Sequence, residues 1–77
     1  MNIIHSRMHG KSYVLNRLND IAERYNVDVR EVISLYNCNI EGDRLGKWFI
    51  VEVIHKHNNI PFDKIGKMIE EIKTIPF

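Results

Sequence analysis

Histidine and cysteine are the residue types in this chain that could bind a metal ion. His5 and His9 are spaced for one helical face, and His55 with His57 or Cys38 could complete a ligand set. However, His55 and His57 point to different faces of a helix, and histidines scattered through so small a chain are usually surface residues. We therefore expect no metal site and no cofactor.

The sequence also lacks the motifs of the common catalytic sites. It has no Gly-rich phosphate loop and no nucleophile elbow, and the adjacent Glu70 and Glu71 are more typical of a solvated helix edge than of an acid–base pair. Cys38 is the single cysteine, which fits a reducing compartment, and no cluster of basic residues adjoins it to activate the thiol. We expect a protein that works by binding and is not an enzyme.

Charge is unevenly distributed along the chain. The formal net charge is +1, but Arg7, Lys11 and Arg17 meet no acidic residue before Asp20. Long-range attraction depends on local charge, so this basic N-terminal arm, residues 1–11, could contact phosphate or an acidic protein surface. An ordinary solvated terminus is the alternative interpretation.

Length and composition indicate one globular domain, residues 1–77. The chain has 77 residues, of which 44% are hydrophobic and 27% charged, and a domain of this size buries only about 60% of its unfolded surface. The bulky Trp48 and Phe49 are therefore expected in the core. The longest apolar run, Trp48–Val51, is far too short to span a membrane, so we expect a cytoplasmic protein without membrane contact.

Periodic apolar residues predict an all-α fold of four helices. Ser12 can cap a first helix from Tyr13 to about Tyr25, and Asn26 can end it. Asp28 and Glu31 form a capping-box pattern at the start of a second helix. The apolar face of the first helix comprises Val14 or Leu15, Leu18, Ile21, Ala22 and Tyr25. That of the second comprises Val29, Val32, Ile33 and Tyr36.

A turn over residues 37–43 separates these helices from the third and fourth. Asp43 can cap the third helix, whose apolar residues occupy several faces and predict a central position, and Asn58–Asn59 closes it. Pro61 suits the first turn of the fourth helix and Pro76 prevents its continuation. The apolar face of the fourth helix comprises Phe62, Ile65, Ile69 and Ile72. Residues 1–5 could pair as a short strand with a second copy.

Motifs between Ile21 and Gly66 resemble the C-terminal DNA-binding domain of the bacterial replication initiator DnaA, a Trp-repressor-like helical family. Ala22-Glu23-Arg24-Tyr25 and Val29-Arg30-Glu31-Val32-Ile33-Ser34 stand where that family ends one helix and begins the next. Lys47 through His57 is similar to its long central helix. Pro61-Phe62-Asp63-Lys64-Ile65-Gly66 resembles the first helix of its helix-turn-helix. The resemblance implies a helix-turn-helix-related scaffold.

Two departures from the family affect its DNA-reading parts. The family begins its recognition helix with a Gly-Gly-Arg-Asp-His-Ser/Thr-Thr-Val segment, whereas this chain continues with residues 67–73. The family's basic minor-groove loop is replaced by a stretch in which Glu41 and Asp43 would repel phosphate. If DNA is bound, the residues that match the family's DNA-facing side are Arg44, Lys47, Lys64 and Lys67, assisted by Arg7 and Lys11. Their role would be phosphate positioning.

The apolar ends suggest a protein partner instead. The tail, residues 74–77, must fold back or dock into a partner or a second copy. The expected interface residues are Ile3, Ile4, Met8, Ile75 and Phe77. A homodimer is expected because it would help so small a core.

We therefore expect a phage or mobile-element product that inhibits a host protein sterically. The partner is expected in the replication machinery (the sliding clamp, the initiator or the helicase loader), or in transcription or defence. This expectation rests on the short Asn-, Ile- and Lys-rich chain and on the missing DNA-reading parts. A duplex DNA-binding module is the alternative, and an antitoxin-like or scaffolding subunit that folds with its partner is a third.

Overall fold

Four helices form the fold, and their order matches the pattern of apolar residues and caps in the sequence. A computed structural model describes the backbone of residues 2–76 and the side chains of residues 12–76. The helices are α1 (Asn2–Tyr25), α2 (Val29–Glu41), α3 (Arg44–Asn58) and α4 (Phe62–Lys73). Across residues 2–76 there is no strand, so the predicted all-α class is confirmed.

Helix α1 is much longer than predicted. It begins at Asn2, so Ser12 lies inside the helix and is not its cap, and residues 2–5 are helical, not a strand. The stretch before Ser12 contains no proline, and its single glycine, Gly10, is tolerated within a helix at a cost of about 1 kcal/mol. Asn26 ends the helix as predicted, with a left-handed φ of 56°.

The inner stripe of α1 follows the predicted pattern, and the start of α2 follows it in part. Leu18, Ile21 and Ala22 are buried, with Val14 and Tyr25 packed beside them. Asp28 caps α2 by accepting a hydrogen bond from the Arg30 N–H at 2.9 Å. Glu31 does not complete the capping box. It accepts hydrogen bonds from the end of α3 instead, and thereby joins the two helices.

The turn predicted over residues 37–43 is wrong, because α2 continues to Glu41. Its last turn ends at Gly42, whose φ of +70° is a conformation that favours glycine. Asp43 then caps α3, as predicted, by accepting from the Gly46 N–H at 2.9 Å. A Cβ at Gly46 would collide with that carboxylate, so a larger residue at this position would displace the capping side chain. The connection from α2 to α3 is therefore only two residues long.

Helix α4 is followed by a tail that returns to the core. Pro61 precedes its first residue, and the Thr74 hydroxyl donates to the Glu71 carbonyl where the helix ends. Ile75 is 3% exposed, and the carbonyl of Pro76 accepts a hydrogen bond from the Tyr36 hydroxyl at 2.9 Å. Ile75 and the Pro76 carbonyl are thus held against the body of the domain.

All four helices contribute to one core, and polar contacts tie α1 to α4. Both Arg24 and the Tyr25 hydroxyl donate hydrogen bonds to the Glu71 carboxylate. These bonds hold the pKa of Glu71 below its ordinary value. The hydrogen bond to Glu71 also raises the pKa of Tyr25. The buried residues are Leu18, Ile21, Ala22, Val27, Val32, Leu35, Tyr36, Val51, Ile54, Ile60, Ile65, Met68, Ile72 and Ile75.

The burial of Ile75 leads to a stability prediction. Ile75→Ala removes a buried side chain and leaves a cavity, so we expect the free energy of unfolding to fall by about 2–5 kcal/mol. Urea unfolding followed by circular dichroism measures this change. Leu15→Ala is the matched control, because Leu15 is 47% exposed and should matter far less. Equal stability of both variants would place Ile75 outside the core.

Asp28 leads to a prediction about acid stability. Hydrogen bonds from the Arg30 side chain and backbone lower the pKa of Asp28 from 3.8 to about 2. A depressed pKa adds stability that is complete above the unfolded value and is lost as pH falls through the folded value. Asp28→Asn keeps a capping side chain without the charge. We therefore expect it to be less stable than the wild type at neutral pH, with the difference vanishing as pH approaches about 2.

Denaturant midpoints measured from neutral pH downward test the Asp28 prediction. Glu23→Gln, which removes an exposed carboxylate elsewhere, is the control for a general effect of charge. A stability difference between Asp28→Asn and the wild type that stays constant with pH would contradict the role given to the Asp28–Arg30 contact.

Candidate binding surface

Helix α3 exposes large apolar side chains to solvent. Leu45 is 85% exposed, Trp48 64% and Phe49 69%, so the prediction that Trp48 and Phe49 belong to the core is wrong. The buried residues of α3 are Val51 and Ile54 only. The helix therefore lies against the body of the domain on one side, instead of running through its centre.

The exposed side of α3 combines these apolar residues with two charges. A helix repeats every 3.6 residues, so steps of three and four from Leu45 reach the same side. We call the exposed residues on this side the outer α3 face: Leu45, Trp48, Phe49, Glu52, Val53 and Lys56.

A groove separates α3 from α4 beside the outer α3 face. Its volume is about 470 Å³. A Cβ built on Gly66 would meet no atom within 4 Å, so the missing side chain keeps the groove open there. Trp48 belongs both to this groove and to the outer α3 face. The α3–α4 groove is lined by Lys47, Trp48, Val51, Phe62, Ile65, Gly66 and Ile69.

Polar contacts at the end of α3 fix the geometry of the groove. His55 Nδ1 lies 2.6 Å from the Ile60 carbonyl oxygen, and its ring stacks on Phe62 with the centroids 4.1 Å apart. Nearby, the Glu31 carboxylate lies 3.0 Å from His57 Nδ1 and accepts a hydrogen bond from the Asn58 side-chain amide at 2.9 Å. The stack on His55 holds Phe62, which is 49% exposed, in the lining of the groove.

Basic side chains gather where α3 begins and α4 ends. Arg44 and Lys47 line a second cavity of about 210 Å³ together with Lys73, which the sequence motifs did not indicate because it belongs to another helix. Cys38 lines the same cavity. Burial, with the nearby charges of Asp43 and Glu41, raises the pKa of its thiol. The thiol is therefore kept protonated, which disfavours nucleophilic chemistry there.

The residues predicted to face DNA are not gathered in one place. Arg44 and Lys47 lie at the second cavity, whereas Lys64 and Lys67 are exposed on α4 and line neither cavity. The side chains of Arg7 and Lys11 lie outside the described residues. Of the predicted phosphate contacts whose side chains are described, Arg44 and Lys47 share a cavity, and Lys64 and Lys67 lie apart from it on α4.

The predicted terminal interface needs one correction. Ile75 is buried in the core, so its side chain is not available to a partner in this conformation. The tail folds back because a small domain gains more from burying an isoleucine than from leaving it in water. The side chains of Ile3, Ile4 and Met8, and the whole of Phe77, lie outside the described residues.

Two further observations concern metal ions and the membrane. Within the side chains that the structure describes, no three His, Cys, Asp or Glu residues lie close enough to hold a metal ion. None of the described helices combines the length and the apolar content needed to cross a membrane.

Comparison with known proteins does not assign the chain to a family. No protein-family model, no curated protein and no solved structure matches it. The resemblance to the initiator domain therefore stays a prediction from the sequence motifs. Function has to be inferred from the α3–α4 groove and the outer α3 face.

Proposed function

We propose that this protein is a small non-enzymatic binding protein that blocks a partner sterically through its α3–α4 groove. The observation that supports this function is the exposure of Trp48 and Phe62, which line the groove, beside the exposed Leu45 and Phe49 of the outer α3 face. Given the usual areas of such side chains, they expose on the order of 400 Å² of mostly apolar surface. A patch of this size on so small a domain is typical of an interaction site.

The chemistry of the groove favours a helical segment of a partner protein. Helix-in-groove recognition inserts large apolar side chains at three- and four-residue spacing between two helices. Lys47 is the one charged residue among those that line this groove. It would attract a carboxylate beside the apolar anchors. The occupant that fits is therefore an amphipathic helix with bulky apolar residues and an adjacent Asp or Glu.

We further propose that this partner is a host protein of the replication machinery and that the chain derives from a phage or mobile element. The motifs that resemble the initiator domain and the composition of the chain support this part of the proposal. The initiator, the sliding clamp and the helicase loader are the first candidates, followed by proteins of transcription or defence. A rigid helical body seated on such a protein would exclude its usual ligand.

Filling the groove tests the proposed binding site. Gly66→Leu places a side chain in the open space, and we expect it to weaken binding about tenfold or more, as truncation of a central anchor residue does. Gly66→Ala is the matched control. It should bind normally, while the stability of α4 rises by about 0.5–1 kcal/mol. Affinities are measured by biolayer interferometry against purified bacterial initiator, sliding clamp and helicase loader.

The outcomes of this experiment separate the parts of the proposal. If the native protein binds none of the three candidates, these three proteins are excluded as its partner. Binding that survives Gly66→Leu would place the contact elsewhere. Loss of binding by Ile4→Asp instead would support the N-terminal residues expected from the sequence.

Duplex DNA binding is the second candidate function. The observation that favours it is the convergence of Arg44, Lys47 and Lys73 on one cavity. Against it, Asp43 lines the same cavity, and Glu70 pairs with Lys73 at 3.3 Å. The acidic groups offset the positive charge that would have to attract phosphate.

Gel mobility at two salt concentrations tests DNA binding. We expect no shift of random or AT-rich duplexes at about 50 mM salt, where phosphate contacts are strong. A shift that disappears at about 200 mM would favour the DNA-binding function. The salt dependence is measured as the slope of the logarithm of the binding constant against the logarithm of the salt concentration. Neutralising Arg44 and Lys47 should then reduce the magnitude of this slope by about 0.9 for each phosphate that these side chains had neutralised. The double variant Lys64→Gln/Lys67→Gln tells whether α4 takes part.

A further inference from the structure

The two ends of the α3–α4 groove differ in their chemistry. At one end the His55 ring stacks on Phe62. At the other end the groove meets the second cavity, because Lys47 lines both of them. Arg44 and Lys73 line the second cavity as well, so three basic side chains lie at this end. The groove therefore runs from an aromatic end to a basic end.

The antiparallel packing of α3 and α4 produces these two ends. The connection of residues 59–61 places the start of α4 beside the end of α3, and the end of α4 returns to the start of α3. Phe62 and Ile69 both line the groove and lie about 10.5 Å apart along α4. Lys73 follows one turn later. A helix that follows the groove would thus meet two turns of apolar lining before it reached the basic end.

The charge at the basic end suits a carboxylate. Among the described side chains, Arg44 and Lys47 have no ion-pair partner. Lys73 pairs with Glu70 at 3.3 Å, and Asp43 lines the same cavity. Three cations beside two carboxylates leave one net positive charge. This charge matches a single Asp or Glu better than the closely spaced phosphates of duplex DNA.

We propose that the occupant of the α3–α4 groove is an amphipathic helix with an Asp or Glu at its carboxyl-terminal end, which binds at Arg44, Lys47 and Lys73. This inference rests on the function proposed above and adds the direction of the bound helix. The carboxyl end of a helix carries a partial negative charge, which adds to that of the acidic side chain. The bound helix then runs parallel to α4 and antiparallel to α3. Because the dipoles of α3 and α4 oppose each other, the three basic side chains determine this direction.

The dimensions of the groove also determine the position of the acidic residue. Apolar anchors that fill the two turns between Phe62 and Ile69 recur at three- and four-residue steps. The basic end lies one turn beyond the last anchor, so the Asp or Glu follows that anchor by three or four residues. An acidic residue ahead of the first anchor would instead lie near the first turn of α4, which contains Asp63. Like charges at close range are unfavourable.

Two matched peptides test the direction. Each is an acetylated and amidated peptide of about 16 residues, held helical by a hydrocarbon staple, with leucines at the anchor spacing. The carboxyl-end peptide has a glutamate one turn after the last leucine, and the amino-end peptide has it one turn before the first. Fluorescence anisotropy measures both affinities. We expect the carboxyl-end peptide to bind about fivefold tighter, because only this peptide brings its glutamate and its negative dipole end to the basic side chains together.

Charge removal in the protein identifies the residues responsible. Arg44→Gln/Lys73→Gln should weaken the carboxyl-end peptide about fivefold and leave the amino-end peptide nearly unchanged. Lys64→Gln/Lys67→Gln is the matched control, because these exposed lysines of α4 line neither cavity. Gly66→Leu should weaken both peptides, since it fills the space that their leucines share.

The outcomes separate this inference from the function on which it rests. A preference for the carboxyl-end peptide that Arg44→Gln/Lys73→Gln removes supports both. Equal affinities that Gly66→Leu lowers alike would leave the groove function standing and overturn the direction, as would tighter binding of the amino-end peptide. A preference that Arg44→Gln/Lys73→Gln leaves intact would reject these side chains as its cause. If neither peptide binds, or if Gly66→Leu weakens neither, the groove function and the direction are both overturned.

Discussion

The whole structure depends on one apolar core to which every helix contributes. Ile21 of α1, Val32 of α2, Ile54 of α3 and Met68 of α4 are each completely buried. No polar or charged residue is buried among the described side chains, so the core is held by the hydrophobic effect and close packing. The described residues of this small chain form one core cluster, so nothing among them compensates for the loss of this core.

The position of helix α3 depends on hydrogen bonds at its two ends as well as on this core. Asp43 caps its first turn, and Glu31 of α2 holds His57 and Asn58 at its last turn. Since the ends are fixed by hydrogen bonds, the outer side of the helix need not be covered to keep its position. The exposed Trp48 and Phe49 therefore add little to the stability of the fold, and their role is better sought in binding.

Local signals in the sequence predicted the parts of the fold that depend on local chemistry. Asp28 and Asp43 cap their helices because their carboxylates reach backbone N–H groups a few residues away, and such contacts need no tertiary context. Ser12 shows the limit of this reasoning. A residue that can cap a helix is also tolerated within one, so the capping pattern alone did not locate the start of α1.

The exposed surface could not be predicted in the same way. Apolar residues occur all around α3, and that pattern is equally expected of a central buried helix and of a helix with one free apolar face. Whether Trp48 is covered depends on how closely α4 packs against α3, and the groove between the two helices leaves this side chain exposed. Lys73 joined Arg44 and Lys47 for the same reason: their proximity arises only when the end of α4 meets the start of α3.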